Sequence, residues 1–323
     1  ISNQHLMTMF ARSMKIYHVD GIYLYCLINA CKFWLRDDVH QVDFRIEDYR
    51  FIKNSKREHL GFNDSEIMQG QKILEKLGIP NSARWVCIHN RDSKYLDEVH
   101  PGRDWNYHDY RDFSVQSMKS AAEELTTRGY YVLRMGSVTA DPMATENPNI
   151  IDYANHSERN DFADIFLLAN CHFYLGSDSG IFAISAIFEK PFAFINFPIP
   201  EPISDIYYWN TTPFILKRAY DNKKNRMLSL KEIFETGFAN TSNGFTFESE
   251  GIELIPNTPD DILDLAIEVD ERIKGTWLTN HENEEMQKMF WNIYNEYLPS
   301  FKNKEVKSII GTTFLRKHID LLD

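Results

Sequence analysis

The sequence lacks the features that would place a protein within a membrane or in an oxidising compartment. No stretch of about 20 apolar residues could span a bilayer, and the amino terminus has no basic region followed by an apolar one, as a signal peptide would. Its four cysteines, Cys26, Cys31, Cys87 and Cys171, form no C-x-x-C pair and have no histidine at ligand spacing. We therefore expect buried, reduced thiols in a cytoplasmic protein.

Positive charge is also scarce. With 35 Lys and Arg against 47 Asp and Glu, the formal net charge is −12, and no basic run suits a groove that follows a phosphate backbone. Nucleic acid is therefore not an expected partner. Short basic stretches at 217–226 and 302–307 are expected to be solvated faces, with contact to a membrane surface as the alternative. Nothing in the sequence indicates an oligomeric state.

The composition is that of a folded globular chain, with 43% hydrophobic and 14% aromatic residues, and 323 residues are enough for two domains. Apolar runs of strand length alternate with helical patterns through the middle of the sequence. The predicted strands cover 84–89, 130–135, 149–153, 171–175 and 191–196, and the helices between them cover 114–128, 162–169 and 181–189. This alternation predicts an α/β fold with a parallel, doubly wound sheet of Rossmann type.

Three regions follow from these patterns. Residues 1–62 show only one helical pattern, at 21–35, and are expected to form a short or incomplete amino-terminal α/β region. Residues 63–215 hold the predicted sheet and begin with a capped helix at Asn63. Residues 216–323 are expected to form a carboxy-terminal helical extension that packs back on the domains, with helices near 229–236, 259–274 and 283–297.

The clearest local pattern is a turn of small and hydroxyl residues between a predicted strand and a predicted helix. Gly176, Ser177, Asp178, Ser179 and Gly180 form this 176–180 turn. Backbone amides at a helix start bind anions, and glycine allows a ligand to approach closely. The alternative is a plain capped turn, but the position after a strand of a βαβ series favours a site for a diphosphate.

A second group of polar residues follows the first predicted strand. His89, Arg91 and Asp92 come directly after a wholly apolar run, where ionisable groups are costly unless they are paired or used. Arginine offers a planar fork that suits phosphate. The alternative is that Asp92 caps a turn and His89 is a satisfied strand-end histidine. Arg134, near the end of the second predicted strand, is a third candidate for phosphate, and pairing with a neighbouring acid is equally open.

Two common kinds of site are missing from the sequence. It has no D-x-D between apolar strands and no H-E-x-x-H, and the Asp37 and Asp38 pair lies in a region without a predicted element. We therefore predict no metal site. It also has no G-x-G-x-x-G, which disfavours a nicotinamide dehydrogenase although the topology would suit one.

The motifs resemble those of known enzymes. Arg-Met-Gly at 134–136, Leu-Gly-Ser-Asp-Ser-Gly-Ile at 175–181 and Lys-Pro-Phe-Ala-Phe-Ile-Asn at 190–196 resemble the carboxy-terminal domain of bacterial heptosyltransferases and related GT-B enzymes. Val86 to Leu96, the 176–180 turn and Phe-Leu-Arg-Lys-His at 314–318 are similar to a family of bacterial glycosyltransferases without assigned substrates. The His89-x-Arg91 element also resembles one in fucosyltransferases, where the arginine engages the donor phosphate.

The resemblance implies a GT-B fold, with residues 63–215 binding a nucleotide sugar and residues 1–62 on the acceptor side. It implies a metal-independent and inverting glycosyltransferase that needs no cofactor and builds surface polysaccharide, such as lipopolysaccharide, from a lipid-linked or glycan acceptor. Such an enzyme would work in the bacterial cytoplasm, with peripheral contact to the inner membrane as the alternative. The residues expected to bind the donor are Arg91, Arg134, Gly176, Ser177, Asp178, Ser179 and Gly180. The candidates for catalysis are Asp92, His89, Glu98 and His100.

The sequence leaves two other functions open. A nucleotide-sugar 2-epimerase shares the fold and would form product without an acceptor. A non-catalytic nucleotide- or sugar-binding subunit of polysaccharide assembly would bind tightly without turnover, and the short first region favours it over the epimerase.

Overall fold

The computed structural model describes residues 3–13, 60–99, 101–102, 104–198, 213–237, 244–297 and 308–323. They belong to two compact units, Ile1–Gly61 and Phe62–Asp323. In the first unit, helix α1 (Gln4–Ser13) buries Leu6 and Met9. The helical pattern predicted at 21–35 and the pair Asp37 and Asp38 lie outside the described residues.

A parallel sheet of seven strands forms the centre of the second unit, and an antiparallel sheet of three strands accompanies it. The strands are β1 (Arg84–His89), β2 (Tyr130–Arg134), β3 (Ile150–Ile151), β4 (Phe173–Gly176), β5 (Phe192–Phe197), β6 (Pro213–Leu216), β7 (Arg218–Asp221), β8 (Arg226–Met227), β9 (Ile252–Ile255) and β10 (Ile309–Ile310). The parallel order is β10-β6-β5-β4-β1-β2-β3, which confirms the predicted doubly wound α/β fold. The small sheet has the order β8-β7-β9.

Helices cover both faces of the parallel sheet. The helices of this unit are α2 (Asp64–Lys76), α3 (Lys94–Val99), α4 (Lys119–Thr127), α5 (Asp161–Asn170), α6 (Phe182–Ile187), α7 (Leu230–Glu235), α8 (Gly244–Glu250), α9 (Pro259–Lys274), α10 (His281–Tyr297) and α11 (Thr312–Lys317). The crossover from β1 to β2 through α4 and the crossover from β3 to β4 through α5 run in opposite directions across the sheet, so right-handed connections place the two helices on opposite faces. On one face α4 packs against α9, and on the other α5 packs against α2 and α6.

Local sequence explains where the main helices begin and end. A capping box of Asn63 and Glu66 opens α2. Thr258 and Asp261 form another at the start of α9, which ends at Gly275 in the left-handed conformation with φ of 70°. The predicted helix at 114–128 is divided into a 3-10 helix, Val115–Met118, and α4. The predicted helix at 181–189 is shorter, because α6 ends at Ile187.

The predicted boundary between residues 215 and 216 falls inside strand β6. Beyond it, β10 pairs with β6 in the parallel sheet, and α9 packs against β6. The last third of the chain therefore adds strands as well as helices to the compact unit Phe62–Asp323.

Candidate functional site

The parallel sheet reverses its strand order between β1 and β4. From β1 the chain continues to β2 and β3 on one side, and from β4 to β5 and β6 on the other. His89 and Gly176 are register partners, so the two strands end at the same level. Ligands of doubly wound sheets bind in the crevice outside the carboxyl ends of the strands at such a point. The structure therefore brings the 176–180 turn and the residues after His89 together at one edge.

Gly176 is at this position because a side chain would not fit. A Cβ atom there would lie 2.4 Å from the His89 carbonyl oxygen and 2.6 Å from the Tyr174 hydroxyl. The Ser177 N–H donates to the His89 carbonyl over 3.1 Å, and the Tyr174 hydroxyl donates to the Ser177 carbonyl over 2.8 Å. The turn is thus fixed to the end of β1 by a backbone hydrogen bond and to β4 by the Tyr174 side chain.

We expect Gly176→Ala to lower the free energy of unfolding by about 1–3 kcal/mol, because the added methyl group must displace backbone or a buried ring. Gly180→Ala is the matched control, since a Cβ at Gly180 meets nothing within 4 Å, and its stability should stay close to that of the wild type. Denaturant unfolding measures both variants. Equal stability of the two would show that the turn relaxes around the methyl group.

The rest of the 176–180 turn offers hydrogen-bond donors. The backbone N–H groups of Ser179, Gly180 and Ile181 make no hydrogen bond to any described residue. The hydroxyls of Ser177 and Ser179 are buried close to the Tyr174 hydroxyl, and neither makes a hydrogen bond of full geometry to a described residue. Helix α6 has only six residues, so its dipole is small. The anion-binding capacity of the turn therefore depends on these individual groups.

Arg91 enters the crevice from the loop after β1. Its side chain is buried, with 8% of the residue exposed. One terminal nitrogen, Nη1, donates to the His108 carbonyl over 3.0 Å and forms an ion pair with Asp112. The other, Nη2, is buried without a hydrogen-bond partner in the described part of the chain. A buried donor without a partner is costly, so this nitrogen is available for an anionic ligand.

Two further cations lie beside Arg91, and the sequence did not single them out. Lys217 follows β6 and is 4% exposed, and its ammonium group donates to the carbonyls of Tyr110 and Asp112, each over 2.8 Å. An ammonium group has three donors, so one remains. Arg111 ends the 3-10 helix Asn106–Arg111, and its Nε is buried without a described partner.

Three carboxylates lie near these cations, and burial disfavours the charged form of each. Burial raises the pKa of Asp112 to about 6, although the charge of Arg91 opposes this shift. Burial also raises the pKa of Asp109, against the charge of Arg91, and that of Asp178, against the charges of Arg111, Arg91 and Lys217. Burial lowers the pKa of Lys217 to about 8. The capacity of this group for an anion therefore depends on its unused donors and not on an excess of positive charge.

His89 is neutral in this setting. Its Nδ1 lies 2.9 Å from the Met135 carbonyl oxygen, so Nδ1 carries the proton and Nε2 is the acceptor. Burial, together with the charges of Arg134 and Arg91, lowers the pKa of His89 to about 4, although the hydrogen bond to Met135 opposes this shift. The ring can therefore accept a proton or a hydrogen bond, but it carries no charge near pH 7.

Arg134 lies in a buried hydrogen-bond network, although its Nε has no partner among the described residues. It is 0% exposed and donates to Asp152 over 3.2 Å and to Asn90 over 3.1 Å. Asn90 in turn donates to the Phe113 carbonyl over 3.1 Å. Arg134 thus lies behind the loop after β1 and holds it in place, which corresponds to the pairing alternative left open on the sequence.

The remaining candidates for catalysis are spread out. One carboxylate oxygen of Asp92 accepts from the Ala140 N–H over 3.2 Å, and the other is buried without a described partner. Glu98 lies on α3 with 55% of its side chain exposed, 3.8 Å from the Lys94 ammonium group. His100 lies outside the described residues. Asp92 is therefore the only carboxylate among these candidates that the described structure places within the loop after β1.

Only part of the basic stretch at 217–226 is the solvated face that we expected: Lys223, Lys224 and Arg226 are exposed. Lys217 and Arg218 are 4% and 5% exposed, and Arg218 donates to Asp320 over 2.6 Å. Charge in a linear sequence does not show which basic residues follow a buried strand. The other stretch, 302–307, lies outside the described residues.

No three His, Cys, Asp or Glu side chains in the described part of the chain are grouped so that they could hold a metal ion. No helix among the described residues is both long and apolar enough to cross a bilayer.

Comparisons with known proteins add little to this site. No protein family model matches the chain, and no curated protein matches it. A solved structure of E. coli ADP-heptose LPS heptosyltransferase II is similar over 45% of this chain, with 15% sequence identity and a TM-score of 0.27. The match covers 40% of the chain of that enzyme. A similarity of this size does not define an activity.

Proposed function

We propose that this protein is a metal-independent glycosyltransferase of GT-B type that binds a nucleotide-sugar donor at the carboxyl ends of β1 and β4. The observation that carries the proposal is the buried guanidinium of Arg91, whose Nη2 lacks a partner within the described residues, beside the 176–180 turn at the point where the strand order reverses. The phosphate oxygens of a nucleoside diphosphate would accept hydrogen bonds from this nitrogen. The motifs shared with heptosyltransferases favour a sugar donor over other nucleotides.

Glycosyl transfer requires stabilisation of the negative charge that develops on the leaving diphosphate. An acceptor hydroxyl oxygen forms a bond to the anomeric carbon, and the bond from that carbon to the diphosphate oxygen breaks, leaving its electron pair on the phosphate. Arg91, Arg111 and the free amides of Ser179 and Gly180 would stabilise this charge, and no metal is then required. The hydroxyl proton must pass to a base, for which Asp92 and the neutral His89 remain the candidates. We propose an inverting reaction on a surface-polysaccharide or other saccharide acceptor.

The first test is thermal stability of the full chain with UDP, GDP, ADP, CDP or CMP in the presence of EDTA. A ligand that binds only the folded state raises the apparent stability by roughly 2.7 kcal/mol at 100 times its Kd. We expect one base to give a larger shift than the others, with the same shift when EDTA is left out. No shift with any of the five would contradict the proposal.

Turnover separates the proposal from its rivals. The donor identified by the thermal shifts is incubated with the protein, with and without candidate saccharide acceptors, and the products are analysed by mass spectrometry. Acceptor-dependent release of the nucleoside diphosphate is the expected result. An isomerised sugar without acceptor would identify an epimerase, and tight binding without any product would favour the non-catalytic subunit.

A further inference from the structure

We infer that Arg91, Arg111 and Lys217 form a three-cation pocket for a diphosphate, in which the carboxylate of Asp178 is a built-in counter-ion that the ligand replaces. This inference rests on the proposed function and deepens it. It adds Arg111 and Lys217 to the predicted site. It also implies that Asp178 weakens diphosphate binding, whereas a residue that binds the donor would strengthen it. We call Arg91, Arg111, Lys217 and Asp178 together the three-cation pocket.

The cations come from separate parts of the chain but are fixed to one another. Arg91 Nη1 and the Lys217 ammonium group hold neighbouring backbone carbonyls, those of His108 and Tyr110. Both lie in the 3-10 helix that ends with Arg111. The two buried cations therefore position the segment that carries the third. Such an arrangement is rigid before a ligand arrives, which favours binding.

Asp178 faces this group from the 176–180 turn. All three cations interact electrostatically with its carboxylate. None of the described ion pairs joins them directly: the described partner of Arg91 is Asp112, and Lys217 donates to backbone carbonyls. The carboxylate thus balances the cations from a distance and leaves their remaining donors unused. An anion that binds those donors neutralises the cations in place of Asp178, and the carboxylate of Asp178 repels it.

A diphosphate suits the three-cation pocket better than a single phosphate. Donors remain on Arg91 Nη2, on Arg111 Nε and on the Lys217 ammonium group. Guanidinium groups bind phosphate oxygens as planar forks, and an ammonium group acts as a point charge. Two linked phosphates can engage groups from three segments at once, whereas one phosphate has fewer oxygens to share.

The test uses inorganic pyrophosphate, which has neither base nor sugar, and measures its affinity for the full chain by calorimetry with orthophosphate for comparison. Arg111→Gln removes a charge without breaking any described hydrogen bond, and we expect roughly 10-fold weaker binding. Asp178→Asn should strengthen binding by roughly 3- to 10-fold, because a like charge is removed. Lys217 is left unchanged, since its loss would release the carbonyls that it holds.

Matched controls separate a local effect from a change in net charge. Arg84→Gln, at the opposite end of β1, removes the same charge as Arg111→Gln. Glu75→Gln, exposed near the end of α2, removes the same charge as Asp178→Asn. Both controls should change the affinity for pyrophosphate by less than about twofold. Circular dichroism and thermal unfolding establish that each variant is folded.

The outcomes distinguish this inference from the proposed function. If Asp178→Asn weakens pyrophosphate binding, Asp178 is a ligand-binding or structural group and the counter-ion role is wrong. If the wild type binds a nucleoside diphosphate but not pyrophosphate, the three-cation pocket is wrong while the proposed function stands. If neither ligand binds, both the three-cation pocket and the proposed function are wrong.

Discussion

Replacing Arg91 by alanine is expected to lower turnover by roughly 10²- to 10³-fold, the usual effect of removing one preorganised donor from a developing oxyanion. Arg91 Nη2 is buried and lacks a hydrogen-bond partner in the described structure, so this donor is not shared with water or with another described group. Affinity for the nucleoside diphosphate should also fall, by roughly 10- to 100-fold. Steady-state transfer and calorimetry measure the two effects.

Arg91 also has a structural role, which the choice of variants must take into account. Its loss also removes the ion pair with Asp112 and the hydrogen bond to the His108 carbonyl. Arg91→Lys keeps the charge without the planar fork, and we expect an intermediate loss of turnover. Arg84→Ala removes an exposed arginine from the start of the same strand and should retain full turnover. Wild-type turnover in Arg91→Ala with its true donor would refute the role assigned to Arg91.

The topology of the sheet could be predicted from the sequence because its strands are local patterns. The run from Trp85 to Ile88 is apolar throughout and fully buried in the structure, as strands covered on both faces are. Its alternation with helices then restricts the strands to a parallel sheet. The same reasoning placed the residues after His89 and the 176–180 turn on one edge, where the structure has them.

The cations beside Arg91 could not be predicted in the same way. Lys217 contacts the carbonyl of Asp112, which is 105 residues away in the chain. In the sequence it is simply the first residue of a basic stretch. Arg111 follows an irregular polar and aromatic segment whose position depends on hydrogen bonds from Arg91 and Lys217. Contacts between loops carry no periodicity, so no local pattern marks them.

Arg134 shows that one sequence pattern fits two roles. A charged residue in an apolar strand suggests a ligand, but the same pattern arises when a neighbouring loop supplies the partner. Here Asp152 follows β3, which lies beside β2, and Asn90 follows β1. Both partners directly follow strands that neighbour β2, so they could be predicted only once the strand order is known.

Asp270→Ala is expected to cost the largest part of the stability among the variants considered. The Asp270 side chain is 0% exposed and accepts from the Tyr130 hydroxyl over 2.7 Å, from Arg128 over 3.0 Å and from Lys274 over 2.8 Å. These bonds join α9 to the start of β2, 140 residues away in the chain. They also lower the pKa of Asp270, although burial opposes them.

The size of the loss follows from what the variant leaves behind. Breaking a buried ion pair costs about 3–5 kcal/mol, and the Tyr130 hydroxyl would lose its partner. Arg128 keeps Glu124 and Glu271, and its side chain is 22% exposed, so the cost should lie near 3 kcal/mol, a shift of roughly 6–12 °C in Tm. Glu271→Ala, next in the chain and 31% exposed, should cost less than about 1 kcal/mol.

Nucleotide binding provides the second measurement for this variant. Asp270 anchors the first residue of β2, whereas the proposed site lies beyond the carboxyl ends of β1 and β4. At a temperature where Asp270→Ala is folded, its affinity for the nucleoside diphosphate should therefore equal that of the wild type. Equal unfolding of Asp270→Ala and Glu271→Ala would show that Asp270 is not an anchor. Loss of affinity without loss of stability would show that the amino-terminal edge of the sheet takes part in the site.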